Sequence, residues 1–191
     1  MKNLIYLLTF QTALMTAPHV MAEKAFWTLA SNNSMVSFIS TKNKDIREEH
    51  SFKEINGFIQ QSGTAVVVIS LDSVETNIEI RNERMREHVF GSDAPAMATI
   101  STTLDQSQLQ SGQTKIKVNL EMNGHNKEYL SEVTVDHQND RLIVTSFNPI
   151  EVNAKDFAYD DGINTMTSLA QLQSISYIVP VEFKLEFMKK H

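Results

Sequence analysis

The side chains able to do chemistry in this chain are few and scattered. Past residue 22 the histidines are His50, His88, His125, His137 and His191, at strand starts, on a helix, beside turns or at the terminus. None shows the ligand spacing of a metal cluster, and solvated imidazole is expected at each. No G-x-S-x-G elbow or H-E-x-x-H helix occurs, and Gly57 and Gly63 stand alone without a phosphate-cradling pattern. Glu48-Glu49 and Asp160-Asp161 are adjacent pairs that diverge in extended backbone; carboxylates meeting across strands stay open. Cysteine is absent, which removes thiol catalysis and thiolate metal sites. No catalytic residue, metal or cofactor is assigned, and no enzyme is expected.

The densest charged segment, residues 73–100, drops a helix pattern into a chain that otherwise alternates like β-strand. Thr76 followed by Glu79 resembles a capping box, so the spacing predicts a helix from Asn77 to about Phe90. At 100° per residue, Ile78, Met85 and Val89 share one face with Asn82 among them and Arg81 at its edge, whereas Glu83, Arg84 and Glu87 point away. Gly91 and the Ala94-Pro95 pair stop it. The basic cluster Arg81, Arg84, Arg86 is diluted by Glu79, Glu83 and Glu87. The chain's net charge is −6, so no nucleic-acid surface is expected.

Residues 1–22 are a different kind of object. Lys2 precedes an apolar run over residues 4–15, and Val20-Met21-Ala22 supplies small residues suited to a signal peptidase. The run is too short for the roughly 20 residues of a spanning helix, and no later stretch is apolar enough, so the mature chain is expected to carry no transmembrane segment. The organisation read from the chain is therefore a signal peptide over residues 1–22 and one domain over residues 23–191, exported to a bacterial periplasm.

Strand alternation dominates that domain. Ile116, Val118, Leu120 and Met122 face one way, an Asn123-Gly124 hairpin turn follows, and Tyr129, Ser131, Val133 and Val135 face one way on the returning strand. A polar turn at residues 138–140 leads into a partner over residues 141–150. Seven apolar residues then occupy successive odd positions over residues 175–187: Ile175, Tyr177, Val179, Val181, Phe183, Leu185 and Phe187. One long apolar face must line a large closed interior. With Val36 and Phe38, with Ala65, Val67, Ile69 and Leu71, and with weaker strands over residues 49–60 and 96–104, about eight antiparallel strands are predicted. The fold class is all-β, an up-and-down barrel with one inserted helix, a β-sandwich being the alternative. In the long connection over residues 152–172, Asp160 or Asp161 is expected to cap a short helix whose Ile163, Met166, Leu169 and Ala170 face inward.

The run SVETN…RNERMREHVF…AP-AMATI, the NG hairpin after KIKVNLEM, VNAKDFAYDDGIN, the closing SYIVPVEFKLEF and the VSF of an early strand resemble, in order, the YceI-like family of exported, lipocalin-like barrels. That resemblance implies an eight-stranded antiparallel barrel enclosing an apolar tunnel for an isoprenoid, an isoprenoid quinone or a similar lipid. Two positions depart from the family's habit: Ala94, where an aromatic is common before the proline, and Ala158, where glycine is common. Barrel geometry alone allows a filled or a hollow interior. If hollow, the apolar lining is Val36, Phe38, Val67, Ile69, Met85, Ile116, Val118, Leu120, Val133, Tyr177, Val179 and Val181, with Phe157 and Tyr159 at the mouth. Arg81 is the head-group residue, able to meet a phosphate or carbonyl oxygen bidentately, or else it snorkels over the wall or pairs with a carboxylate. The function expected is an exported carrier of an apolar amphiphile; the alternatives are a lipid-modifying enzyme using the same cavity and a packed interaction barrel. The partner is an apolar small molecule, and a homodimer is left open.

Overall fold

The computed structural model describes residues 25–91 and 96–190. The residues 1–22 read as a signal peptide, the Ala94-Pro95 stop, the departure at Ala94 and His191 lie outside these.

Twelve strand segments among the described residues occupy eight strand positions, because four positions are interrupted. The first position holds β1 (Ala25–Leu29) and β2 (Met35–Lys42), the second β3 (Ile46–Phe52) and β4 (Ile55–Gln60), and the third β5 (Thr64–Ser70) and β6 (Val74–Glu75). β7 (Met97–Thr103), β8 (Gly112–Met122) and β9 (His125–Gln138) follow unbroken, then β10 (Arg141–Ser146) with β11 (Ile150–Asn153), and last β12 (Ile178–Lys189). Neighbouring positions pair antiparallel in chain order. The final position returns to the first, with Trp27 opposite Lys189 and Val181 opposite Phe38, so the sheet closes. This is an eight-stranded antiparallel barrel, and closure removes the unpaired edges an open sheet would expose.

The interruptions have local causes. Residues 141–150 do not form one strand: at Pro149 the backbone has no N–H to give the ladder, and Phe147 stands 55% exposed beside the break. The last strand begins at Ile178, later than the apolar alternation suggests. Ahead of it, Ile175 joins the barrel through a single bridge to Lys42.

The chain seals one barrel end with the connection over residues 104–111. Leu104 and Leu109 are buried there under Trp27, which meets the His137 ring edge-on at 5.3 Å. His137 Nδ1 lies 2.9 Å from the Leu109 carbonyl, so this imidazole is a structural tie and not the solvated group expected. Gly63, with φ +93°, packs so closely that a Cβ would lie 2.0 Å from the Leu104 carbonyl oxygen. Only glycine fits that turn.

Both helices cover the opposite end. α1 spans Glu79–Met85 and winds on as a π-helical turn over Arg86–Phe90, ending at Gly91 with φ 81°. It starts two residues later than the capping-box pattern predicts, because Asn77 adopts φ 59° and Ile78, still extended, is the cap. Thr76 does not cap. Its hydroxyl and its N–H both donate to Asn82 Oδ1, at 2.6 and 2.9 Å, and Asn82 Nδ2 donates to Glu75 at 3.1 Å. Because Ile78 precedes the helix, the helical phase does not reach it, and it is 48% exposed instead of inward. α2 (Asp160–Leu169) is capped by neither aspartate: Tyr159 is its cap, and both carboxylates stand in the first turn, where they suit the helix dipole. Ile163 and Met166 are buried as predicted, whereas Leu169 and Ala170 are exposed because the last turn lies in solvent. The helices meet backbone to backbone, since a Cβ at Gly162 would come 2.3 Å from the His88 carbonyl oxygen.

Candidate functional site

The inward faces of the eight strand positions do not fill the barrel. They enclose a cavity of about 330 Å3, within the range of small-molecule pockets, that runs from the sealed end to the two helices. Val36, Phe38, Val67, Ile69, Ile116, Val118, Leu120, Val133, Val179 and Val181 line it from the strands, and Met85 and Tyr159 from the lid. Phe157 and Tyr177, also expected at the cavity, stand outside its lining. Phe157 is fully buried in the packed core, where its carbonyl accepts from Asn123 Nδ2 of the hairpin turn at 2.9 Å. Tyr177 turns toward α2, donating its hydroxyl to Asn164 Oδ1 at 2.6 Å beneath the Lys155 ammonium. Phe157 ends a 3-10 turn over Ala154–Phe157, off the strands, and Tyr177 stands just ahead of β12, outside its regular alternation.

An aromatic chain runs beneath the lid. Phe38 stacks on Phe52 at 5.2 Å, Phe52 meets Phe90 of the π turn at 6.2 Å, and Phe90 meets Tyr159 edge-on at 5.9 Å. Burial pushes the Tyr159 phenol up to about 12. The π turn widens α1 by one residue and supplies both Val89 and Phe90 to this layer.

The polar mouth lies where α1 meets β2 and β3. Ser40 and Lys42 on β2, and His50 on β3, share the cavity face with Val36 and Phe38. Glu48 accepts from Lys42 Nζ and, at 2.5 Å, from Arg81 Nη1, while Arg81 Nη2 donates to the Thr76 carbonyl at 3.0 Å. The Lys42 ammonium, with Arg81 behind it, holds the Glu48 carboxyl below its usual range. Arg81 therefore lines the cavity while paired with a carboxylate.

His50 is the residue the sequence pattern missed. It is 4% exposed, its ring lies 5.2 Å from Phe38, and its Nε2 is 2.8 Å from Ser40 Oγ. Burial first, then the positive charge of Arg81, pushes it down to about 4, so it is neutral at pH 7. The run REEHSF shows no apolar alternation; only the cross-strand partner, Phe38, carries the inward phase to His50.

The YceI-like domain matches this sequence over residues 27–187, nearly the whole barrel. The chain belongs to the YceI-like family. Solved structures agree. A polyisoprenoid binding domain from Saccharophagus degradans, implicated in plant cell wall breakdown, superposes with a TM-score of 0.83 at 29% identity, covering 87% of this chain and all of that one. BcnA from Burkholderia cenocepacia gives 0.63 at 15% identity over 83% of this chain and 98% of its own. The Campylobacter jejuni YCEI protein gives 0.54 at 16%, over 74% and 85%. Among curated proteins, none matches the sequence. Within this YceI-like barrel, Ala158 takes a left-handed conformation, φ 55° and ψ 36°, at the position where the family resemblance leads one to expect glycine.

Proposed function

We propose that this YceI-like protein sequesters and carries a long apolar amphiphile, of isoprenoid or isoprenoid-quinone type, through the aqueous periplasm. The observation that carries this reading is the unfilled apolar cavity: a barrel whose role was only structural would close-pack its interior, as protein cores do. Each buried methylene contributes about 0.8 kcal/mol, so the wall supplies affinity for a tail, and the Lys42, Glu48 and Arg81 mouth is where a head would lie. The likeness to a polyisoprenoid binding domain supports the ligand class. No helix among the described residues is long and apolar enough to cross a membrane. Export would follow from the leader pattern over residues 1–22.

An enzymatic reading draws on one observation, the Ser40–His50 contact at the cavity mouth. A hydroxyl and an imidazole so placed resemble a nucleophile with its base. His50 Nδ1, however, has no carboxylate to orient it, and a ring pushed down to about 4 takes a proton poorly at neutral pH, which favours binding over catalysis. Native mass spectrometry of protein purified from its own host tests the proposal. A co-purifying lipid released on denaturation is expected; ligand-free protein that also fails to take up prenyl lipids in titration would defeat it.

A further inference from the structure

Ile46, Ile78, Ile80 and Leu169 are large apolar side chains that stand exposed at the lid end of the barrel. Ile46 lies at the tip of the β2–β3 hairpin, paired with Lys42. Because Lys42 lines the cavity, Ile46 shares its inward phase, but it stands past the rim and is exposed. Ile78 and Ile80 open α1, which Arg81 ties to β3 through Glu48. Leu169 stands in the last turn of α2. The chain leaving that helix returns to the hairpin tip: the Asn43 N–H donates to the Ser174 carbonyl at 3.0 Å, and the Gln173 N–H donates to Asn43 Oδ1 at 2.8 Å. Lys42 also bridges to Ile175, another residue of the cavity lining. The hairpin tip is therefore held between the start of α1 and the exit of α2, and the three segments form one rim.

The rim differs from the rest of the chain in charge. Residues 42–49 carry three cations and three anions, residues 78–84 two of each, and residues 162–181 none, so the net −6 resides elsewhere. Residues 168–174 are exposed except for the half-buried Leu172, and moving this uncharged stretch into a less polar medium strips water from no ion. Lys44 and Arg47, both exposed, flank Ile46; their long stems can keep the charges at the depth of lipid phosphates while the isoleucine goes deeper. Exposed apolar side chains interspersed with such cations suit the interfacial zone of a bilayer. A long apolar cargo supplies the reason for meeting one: it partitions into bilayers, and a mouth pressed against the lipid spares it passage through water.

We infer that this rim is a membrane-docking surface: Ile46, Ile80 and Leu169 enter the interface of a glycerophospholipid bilayer, and cargo passes between bilayer and cavity there. The inference rests on the carrier reading above and adds to it a partner and an orientation.

The chain has no cysteine, so single substitutions can carry a nitrobenzoxadiazole label: Ile46→Cys and Leu169→Cys on the rim, and Met188→Cys, exposed at the sealed end, as the control. On vesicles of phosphatidylcholine with phosphatidylglycerol, the emission at positions 46 and 169 should brighten and shift to the blue, with no change at position 188. Ile46→Asp combined with Leu169→Asp should weaken vesicle binding about tenfold. Both side chains are exposed, so the fold should persist, which circular dichroism checks. The double variant should take up a prenyl alcohol more slowly from vesicles than the parent chain does, and equally fast from a detergent dispersion.

Rim labels that stay silent on vesicles would overturn the surface, and uptake of the dispersed alcohol by the same protein would leave the carrier intact. A response at position 188 instead, as docking through residues 1–22 ahead of β1 would produce, also overturns it. So does a rim signal that follows protein concentration in vesicle-free buffer, which would assign the face to a second copy of the chain. Docking without uptake from either source would overturn the carrier reading and, with it, the transfer role given to this rim.

Discussion

Arg81 on the lid and Glu48 on the barrel rim share a hydrogen bond of 2.5 Å, and Lys42 donates to the same carboxylate oxygen. One carboxylate thus joins a cation from the helix to a cation from the wall. The contact fastens α1 over the cavity and leaves the mouth with a single uncompensated positive charge among these three groups.

Glu48→Gln should therefore loosen the lid and change what the mouth tolerates. The pair is partly exposed, so the expected loss of stability is small, about 1 kcal/mol. Amide exchange over residues 79–90 should quicken more than exchange in β8 and β9. In the same variant a prenyl monophosphate should gain on the alcohol of equal tail, because two cations remain without their carboxylate. Unchanged exchange in α1 would show that the ion pair does not hold the lid.

Acidification should weaken the fold as pH falls below about 6.5. His50 is held at about 4 in the folded chain against about 6.5 unfolded, so between these values the unfolded chain binds the extra proton. That contribution to stability is present above pH 6.5 and is lost as pH falls. Glu48 and Lys42 face the ring from β3 and β2, and Arg81 from α1. Urea titrations at pH 6.5 and 5 should differ by about 1.5 kcal/mol, with the difference shrinking in His50→Phe. A flat profile over that window would mean that His50 accepts its proton within the fold.

Asn82 is 2% exposed and takes both the Thr76 hydroxyl and the Thr76 N–H on one oxygen. Asn82→Ala should cost about 2–3 kcal/mol, since a buried backbone donor is left unmet. Asn82→Asp, which keeps an acceptor there but loses the bond to Glu75, is expected to unfold the lid selectively, an outcome that near-UV circular dichroism and exchange over α1 would separate from global loss.

Ala158 holds φ 55°, a conformation that costs a side-chain-bearing residue about 1–2 kcal/mol. Ala158→Gly should raise the unfolding free energy by about 1 kcal/mol, the relieved strain exceeding the added freedom of the unfolded chain. Thermal unfolding measures it. A decrease would show that the methyl group contributes packing that outweighs the strain.

Much of this protein is legible in its residues alone. The alternation from Ile116 to Met122, the Asn123-Gly124 turn and the returning Tyr129, Ser131, Val133 determine a hairpin and its inward face, because period-two patterning and left-handed turn residues act locally. The charged run around Arg81 determines a lid helix with Met85 and Val89 inward for the same reason. Local patterns also set the limits: they extend the apolar alternation through Tyr177, which stands ahead of β12 and bonds to Asn164 instead, and they make Thr76 a cap when Asn82 claims its hydroxyl. The tertiary structure alone decided that the barrel is hollow, since a volume left between eight faces belongs to no single strand. It alone placed His50 inside, through the phase of its partner Phe38, and set Glu48 beside Arg81, 33 residues apart in the chain. Proton affinity and pairing at the mouth depend on what lies across space, and spacing along the chain does not encode that distance.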